Sequence, residues 1–151
     1  MDIAELEAEA ARLILPRFDE SVALDLGLRL VDLARARGLP VVIDIRDAAR
    51  TYFHAAMPGS APLNDLWARR KSATVLVIHE ASLLVGRRNA LKGETVAKAG
   101  LDPALYADHG GAIPLRLAGG VVAAVVTVSG LPQVDDHRLV AEAIAALIAG
   151  H

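Results

Sequence analysis

The chain holds five histidines and no cysteine, and these two counts bound its chemistry. Without thiols there is no disulfide, no thiolate nucleophile and no cysteine-ligated zinc or iron–sulfur centre. Two imidazoles have suggestive neighbours: His109 precedes Gly110 and Gly111, and His137 follows Asp135 and Asp136. Imidazole changes charge near neutral pH and serves as a general acid or base. The paired glycines permit positive φ and close backbone approach, so their turn can present His109 and free N–H groups to a ligand. Equally, they need do no more than lead the chain into a strand. Asp135 and Asp136 can complement a helix dipole without any further task. Together with the imidazoles they offer metal-ligand types, but at long spacing and without an HExxH-like local pair, so no metal site is assigned.

Arg70 and Lys71 can hold a carboxylate or phosphate, arginine in a two-pronged fit, or they can pair with an aspartate. Trp67 lies one helical turn before Lys71. Ser129 lacks the G-x-S-x-G elbow of a triad nucleophile. His54 and His79 fall in an expected strand and helix with no evident partner and read as structural.

These residues are placed by a regular series of elements. Ile3, Leu6, Ala10 and Leu13 mark a short amphipathic helix over residues 2–12, and 13–18 read as a strand that Pro16 confines to a sheet edge or a bulge. Asp19 to Ser21 cap a helix over 20–37 with Val22, Leu26, Leu30, Leu33 and Ala34 inward and Gly38 at its end. Strands follow at 41–46 and 51–55 as a hairpin. Asn64 is expected to cap a helix reaching His79. Its apolar stripe reads as Leu66, Trp67, Ala73, Thr74, Val77 and Ile78, with Arg70 inside it, where a cation must snorkel outward or meet an anion. A helix over 82–91 and a turn from Asp102 to Tyr106 precede a strand at 112–117. The run 121–129, apolar on both faces, is expected at the middle of the sheet. Asp135 or Asp136 caps a last helix carrying Leu139, Val140, Ala143, Ile144, Leu147 and Ile148. Five strands joined by hairpins and helices make one α+β domain over residues 1–151.

A net charge of -2 and 3% aromatic residues leave neither a basic footprint nor a stacking platform, which argues against nucleic acid. The longest apolar run falls far short of the ~20 residues of a membrane helix. The N-terminus, acidic and alternating, does not read as a signal peptide, so a soluble cytoplasmic protein is expected. An apolar fraction of 54% is more than one small core conveniently hides and points to subunit interfaces.

Four separated motifs, in order, resemble the haem-degrading-domain family, also called GlcG/HbpS-like, and most closely its small branch. They are Trp67 to Lys71, Asp108 to Pro114, Thr127 to Gln133 and Asp135 to His137. The resemblance extends to Pro16–Asp19 and Val42–Ile45. It implies a profilin-like α/β sandwich with a five-stranded antiparallel sheet, a homo-oligomer of dimers or larger, and a link to haem or small organic acids. Ala81–Ser82 replaces a frequent serine pair, and Ile113 replaces a frequent aromatic; no haem ligand of the secreted relatives maps onto a motif position.

The expectation is therefore an oligomer that binds a small anionic ligand, haem among the candidates, at a subunit junction lined by Trp67, Arg70, Lys71, His109, Gly110, Gly111 and His137. One alternative is an enzyme in which His109 or His137 acts on a small carboxylate or phosphate, with both imidazoles reaching one ligand. Another is a scaffold that only assembles and binds partners.

Overall fold

The computed structural model describes residues 1–150. Its elements are α1 (Ile3–Arg12), β1 (Ile14–Leu15), α2 (Glu20–Arg37), β2 (Val42–Arg46), β3 (Thr51–Ala56), α3 (Pro62–Ile78), α4 (Ser82–Lys92), a 3-10 turn (Val96–Ala99), β4 (Ala112–Leu117), β5 (Val122–Ser129) and α5 (Gln133–Ala149). The five strands form one sheet in the order β1-β4-β5-β2-β3, which puts β5 at its centre as the doubly apolar run required.

The sheet is mixed, where a purely antiparallel one was expected. The β2/β3 and β4/β5 hairpins and the β2/β5 contact are antiparallel, but β1 runs parallel to β4, pairing Ile14 with Arg116 and Leu15 with Leu117. A hairpin forces its strands antiparallel; β1 meets β4 from across the chain and its direction is set by packing instead. Pro16 ends β1 after two residues and confines it to the edge.

α2 follows its local signals. Asp19 Oδ1 accepts from the Val22 N–H at 2.9 Å, and Gly38, at φ 64°, closes the helix in the left-handed conformation. α2 and α5 cover one face of the sheet, where Leu26, Leu30, Ile144 and Leu147 bury against Ile43, Ile45, Val126 and Val128. Each such side chain contributes about 1.5–3 kcal/mol by leaving water, and this layer is the main hydrophobic core.

The opposite face, under α3, is different in kind. Val75 packs on Ala112 and Val125, but Lys71, Ser72, Thr74, Asp44 and Thr127 are buried there too. The expected apolar stripe of α3 holds only in part: Thr74 is buried as expected, but Leu66 and Val77 point to solvent, and the inward row is Ala68, Lys71, Ser72, Thr74 and Val75. Periodicity misled because this layer is held largely by hydrogen bonds, and polar side chains with buried partners occupy positions that hydropathy gives to apolar ones. α3 also begins at Pro62 rather than after Asn64, whose side-chain oxygen reaches back to the Ala61 N–H at 2.8 Å. α1 and α4 pack together through Leu6, Leu83 and Leu84. Among the described residues no helix is long and apolar enough to cross a membrane.

Candidate functional site

The first half of α3, the start of α5 and the turn around His109 and Gly110 enclose a cleft of about 280 Å³. Its floor is organised by Lys71, which is 3% exposed. Lys71 Nζ donates to Gly110 O at 3.0 Å, Val128 O at 2.8 Å and Asp136 Oδ2 at 3.2 Å. Three acceptors meet the three protons of an ammonium ion. Burial pulls the Lys71 ammonium below its ordinary range, and the Asp136 charge opposes this. Burial likewise raises the Asp136 carboxyl, against the pull of Lys71 and of the Leu131 and Gly130 N–H groups.

Asp136 was expected, as an alternative to Asp135, to cap α5. Instead α5 begins earlier, at Gln133, and Asp136 lies in its first turn. Its carboxylate turns back to accept from Leu131 N at 3.0 Å and Gly130 N at 3.3 Å. The residue at the N-cap is Pro132, which offers no side-chain acceptor, and Asp135 and Asp136 supply negative charge in the first turn of α5.

Glycine is required at 111. The residue sits at φ 136°, and a Cβ there would lie 2.3 Å from Val128 O and 2.5 Å from Lys71 Nζ. The paired glycines therefore let the backbone pass directly over the lysine head group. Gly110 is fixed from the other side by its N–H donating to Gln133 Oε1 at 2.9 Å.

The groups left facing the cleft are donors. Ser129 is 3% exposed, lines the cleft, and its hydroxyl has no partner among the described residues. Asn64 and Gln133 each spend their oxygen on a backbone N–H, leaving their amide nitrogens free. Trp67 and His109 complete the rim, with ring centroids 5.0 Å apart in an edge-to-face arrangement. Arg70 is on the outer side of Trp67, its guanidinium 4.4 Å from the indole centroid, and donates to Pro103 O at 2.7 Å. Lysine has thus taken up the floor's carbonyl and carboxylate acceptors, and what remains suits an anion.

Of the seven residues proposed from sequence, Trp67, Lys71, His109 and Gly110 line this cleft, Gly111 backs it and Arg70 flanks it. His137 does not belong. It is 1% exposed and lines a separate cavity of about 320 Å³ beneath α1, with Leu6, Leu13, Leu84 and Ile113. There its Nε2 meets Glu9 Oε1 at 2.6 Å, and its Nδ1 is buried without a partner. Within one chain the shared-ligand arrangement of His109 and His137 is therefore absent: adjacent positions on a helix diverge by about 100°, so Asp136 facing the cleft sends His137 to the other side.

Sequence reasoning missed Ser129, Asn64 and Gln133 as cleft residues, and it missed a second polar cluster. Asp44, 1% exposed, receives Arg46 through Nε at 2.6 Å and Nη2 at 2.7 Å, and His54 Nδ1 lies 2.9 Å from its Oδ2. The other ring nitrogen of His54 lies 2.9 Å from Asp65 Oδ1, so His54 joins β2 to α3. The period-2 placement of Asp44 and Arg46 on one strand face was the available signal.

One requirement of haem is unmet within one chain. The cleft is smaller than the ~300–1,000 Å³ typical of sites for drug-sized ligands, and it offers one imidazole, His109. A space of this size within one chain does not enclose a macrocycle.

A family model described as haem degrading protein, HbpS-like, matches residues 18–145. The chain is 52% identical over 143 residues to a UPF0303 protein of Streptomyces coelicolor, covering 94% of this chain and 90% of that one. It is 45% identical over 152 residues to a UPF0303 protein of Burkholderia thailandensis, covering 100% and 92%. Among solved structures, the Ybr137w protein superposes with a TM-score of 0.89 at 30% identity, over 99% of this chain and 89% of that one. The PduOC:heme complex gives 0.73 at 21% identity over 85% and 94%, which is a likeness of fold. The profilin-like fold expected from the motifs is thus present, and the chain belongs to the HbpS-like family of haem degrading proteins.

Proposed function

We propose that this protein is a cytoplasmic homo-oligomer whose α3/α5 cleft binds a small anionic ligand through a carboxylate or phosphate group. The observation that carries the reading is the inventory of unspent hydrogen-bonding groups. Lys71 engages Gly110 O, Val128 O and Asp136, while the Ser129 hydroxyl and the amide nitrogens of Asn64 and Gln133 remain free. The Ser129 hydroxyl, on a cleft-lining residue, is free to donate to a ligand oxygen.

The PduOC complex makes haem one anion to test, as its propionates carry the same head group; here the ring would rest outside, against Trp67 and the exposed Leu63. The test is titration of the 15N-labelled protein with oxalate, inorganic phosphate and haemin. Binding should shift the amide signals of Gly110, Ser129 and Gln133, and Ser129→Ala should weaken it about tenfold or more, the worth of one hydrogen bond to a charged acceptor. A Soret shift abolished by His109→Ala would select haem. Signals in the cleft that ignore all three probes would overturn the reading.

A further inference from the structure

β1 closes only part of its sheet edge. It pairs Ile14 with Arg116 and Leu15 with Leu117, and the rest of β4, Ala112 to Leu115, has β5 on one side and no strand on the other. Where a longer β1 would have run along that edge, the chain coils into α1. Neighbouring strands lie about 4.8 Å apart, whereas a helix with its side chains is about 10–12 Å across and must stand farther off. Ala10 and Ala11, which line the space from α1, are too small to fill the difference. Pro114, in the uncovered stretch, brings no N–H that needs a strand partner. The gap is the cavity of about 320 Å³ in which His137 lies. α1 and β1 precede residues 18–145, so the roof of this cavity is an addition to the part of the fold that the family model matches.

Most of the lining is apolar, and its charged groups are Glu7, Glu9, Glu80, Arg88 and Arg116, joined by the His137 imidazole. The donors among them are spent within the chain. Arg88 donates to both oxygens of Glu80 and reaches Glu7 Oε1 at 3.5 Å, while Arg116 donates to His79 O and Gly120 O. A carboxylate only accepts, so the 2.6 Å contact between His137 Nε2 and Glu9 Oε1 uses the Nε2 proton. What remains is acceptors. Glu9 Oε2 has no partner among the described residues, and His137 Nδ1, buried and likewise unpartnered, is a lone pair in the neutral ring. The α3/α5 cleft leaves donors unspent; the cavity under α1 leaves the opposite.

We propose that this cavity is a second binding site and takes a small organic amine, its apolar body seated against α1, α4 and β4 and its ammonium group donating to Glu9. The volume falls within the ~300–1,000 Å³ of sites for drug-sized ligands, and an apolar lining with a few converging polar groups is their common form. A hydrocarbon chain meets the apolar walls, and the ammonium finds a carboxylate oxygen that the protein leaves open. Carboxylates outnumber guanidinium groups three to two around the cavity, so a cationic head group is attracted where an anionic one is repelled.

The site is separate from the cleft and does not depend on what binds there. Its test follows the amide signals of the isotope-labelled intact chain during titration with three probes of equal chain length: hexylamine, hexanol and hexanoate. Hexylamine should shift Ala10, Leu84 and His137 while Gly110 and Ser129 stay in place, and it should bind about tenfold or more tighter than hexanol, the worth of one hydrogen bond to a charged group. Hexanoate should leave the cavity signals unmoved. Glu9→Gln keeps an acceptor for His137 but removes the charge; it should abolish the preference for the amine and leave hexanol binding within about threefold of wild type. Ala10→Trp, at an exposed position of α1, should fill the space and abolish the response to both probes. Both variants are checked for native circular dichroism. Cavity signals that ignore hexylamine, or a response to it that survives Ala10→Trp, would overturn the site. Hexanol or hexanoate binding there as tightly as hexylamine, or hexylamine indifferent to Glu9→Gln, would overturn the assignment to an amine.

Discussion

Replacing Lys71 by methionine tests whether the cleft floor is held by its charge. Methionine keeps the length and apolar stem but donates nothing, so Gly110 O and Val128 O lose a donor and Asp136 loses its cation. Both members of the pair are 3% exposed at the side chain, so screening by water is slight. Removing one member of such a pair costs about 3–5 kcal/mol. At roughly 2–4 °C per kcal/mol for a chain of this size, the midpoint should fall by about 6–20 °C. The pH dependence is as specific as the magnitude. Burial already raises the Asp136 carboxyl, and Lys71 is the first-ranked influence holding it down. Without the lysine the folded-state pKa rises further above the unfolded value of about 3.9. A carboxyl raised on folding contributes stability that is full on the acid side and is lost as pH rises through the folded-state pKa. The deficit of Lys71→Met should therefore be smaller at pH 5 than at pH 8. Adding Asp136→Asn removes the unpaired charge and should recover about 1–2 kcal/mol. Trp67, the one tryptophan and itself in the cleft, reports urea unfolding by fluorescence. A loss under about 1 kcal/mol, or a deficit that grows as pH falls from 8 to 5, would refute the reasoning.

Two further substitutions probe the frame around the cleft. Gly111→Ala forces a Cβ into Val128 O and the Lys71 head group at a positive φ, and should cost about 3 kcal/mol or more in urea unfolding, with the signals of Lys71 and Asp136 displaced; a neutral alanine would disprove the need for glycine. Asp44→Asn keeps the shape but removes the charge that Arg46 and His54 share, and should cost about 2–3 kcal/mol, discounted for the partly exposed partners. Hydrogen exchange of β3 should quicken at the same time, because His54 is its tie to α3 through Asp65; unchanged protection of Phe53 to Ala56 would contradict that role.

Local order was legible in the chain itself. α2 begins at Glu20 and ends at Gly38 because Asp19 and a left-handed glycine act within a few residues of the bonds they satisfy. The β4/β5 hairpin, the central place of β5 and the apolar row of α5 follow from patterns of period 2 and 3.6 in which burial and hydropathy agree. The motifs shared with the family pointed to the His109–Gly111 turn and to Lys71. What only the tertiary structure decided is how the polar residues are divided. Lys71 is buried because Gly110, Val128 and Asp136, distant in sequence, converge on one point, and no pattern within α3 announces that. His54 looked solitary until pairing of β2 with β3 set it beside Asp44. The direction of β1 was open for the same reason, since its partner lies a hundred residues away in the chain. Asp136 and His137 are neighbours in sequence, yet one helical step of about 100° sends the first into the cleft and the second into the cavity under α1. Local sequence fixes elements through short-range hydrogen bonds and periodicity; the meeting of charges depends on which faces the packed layers turn towards each other.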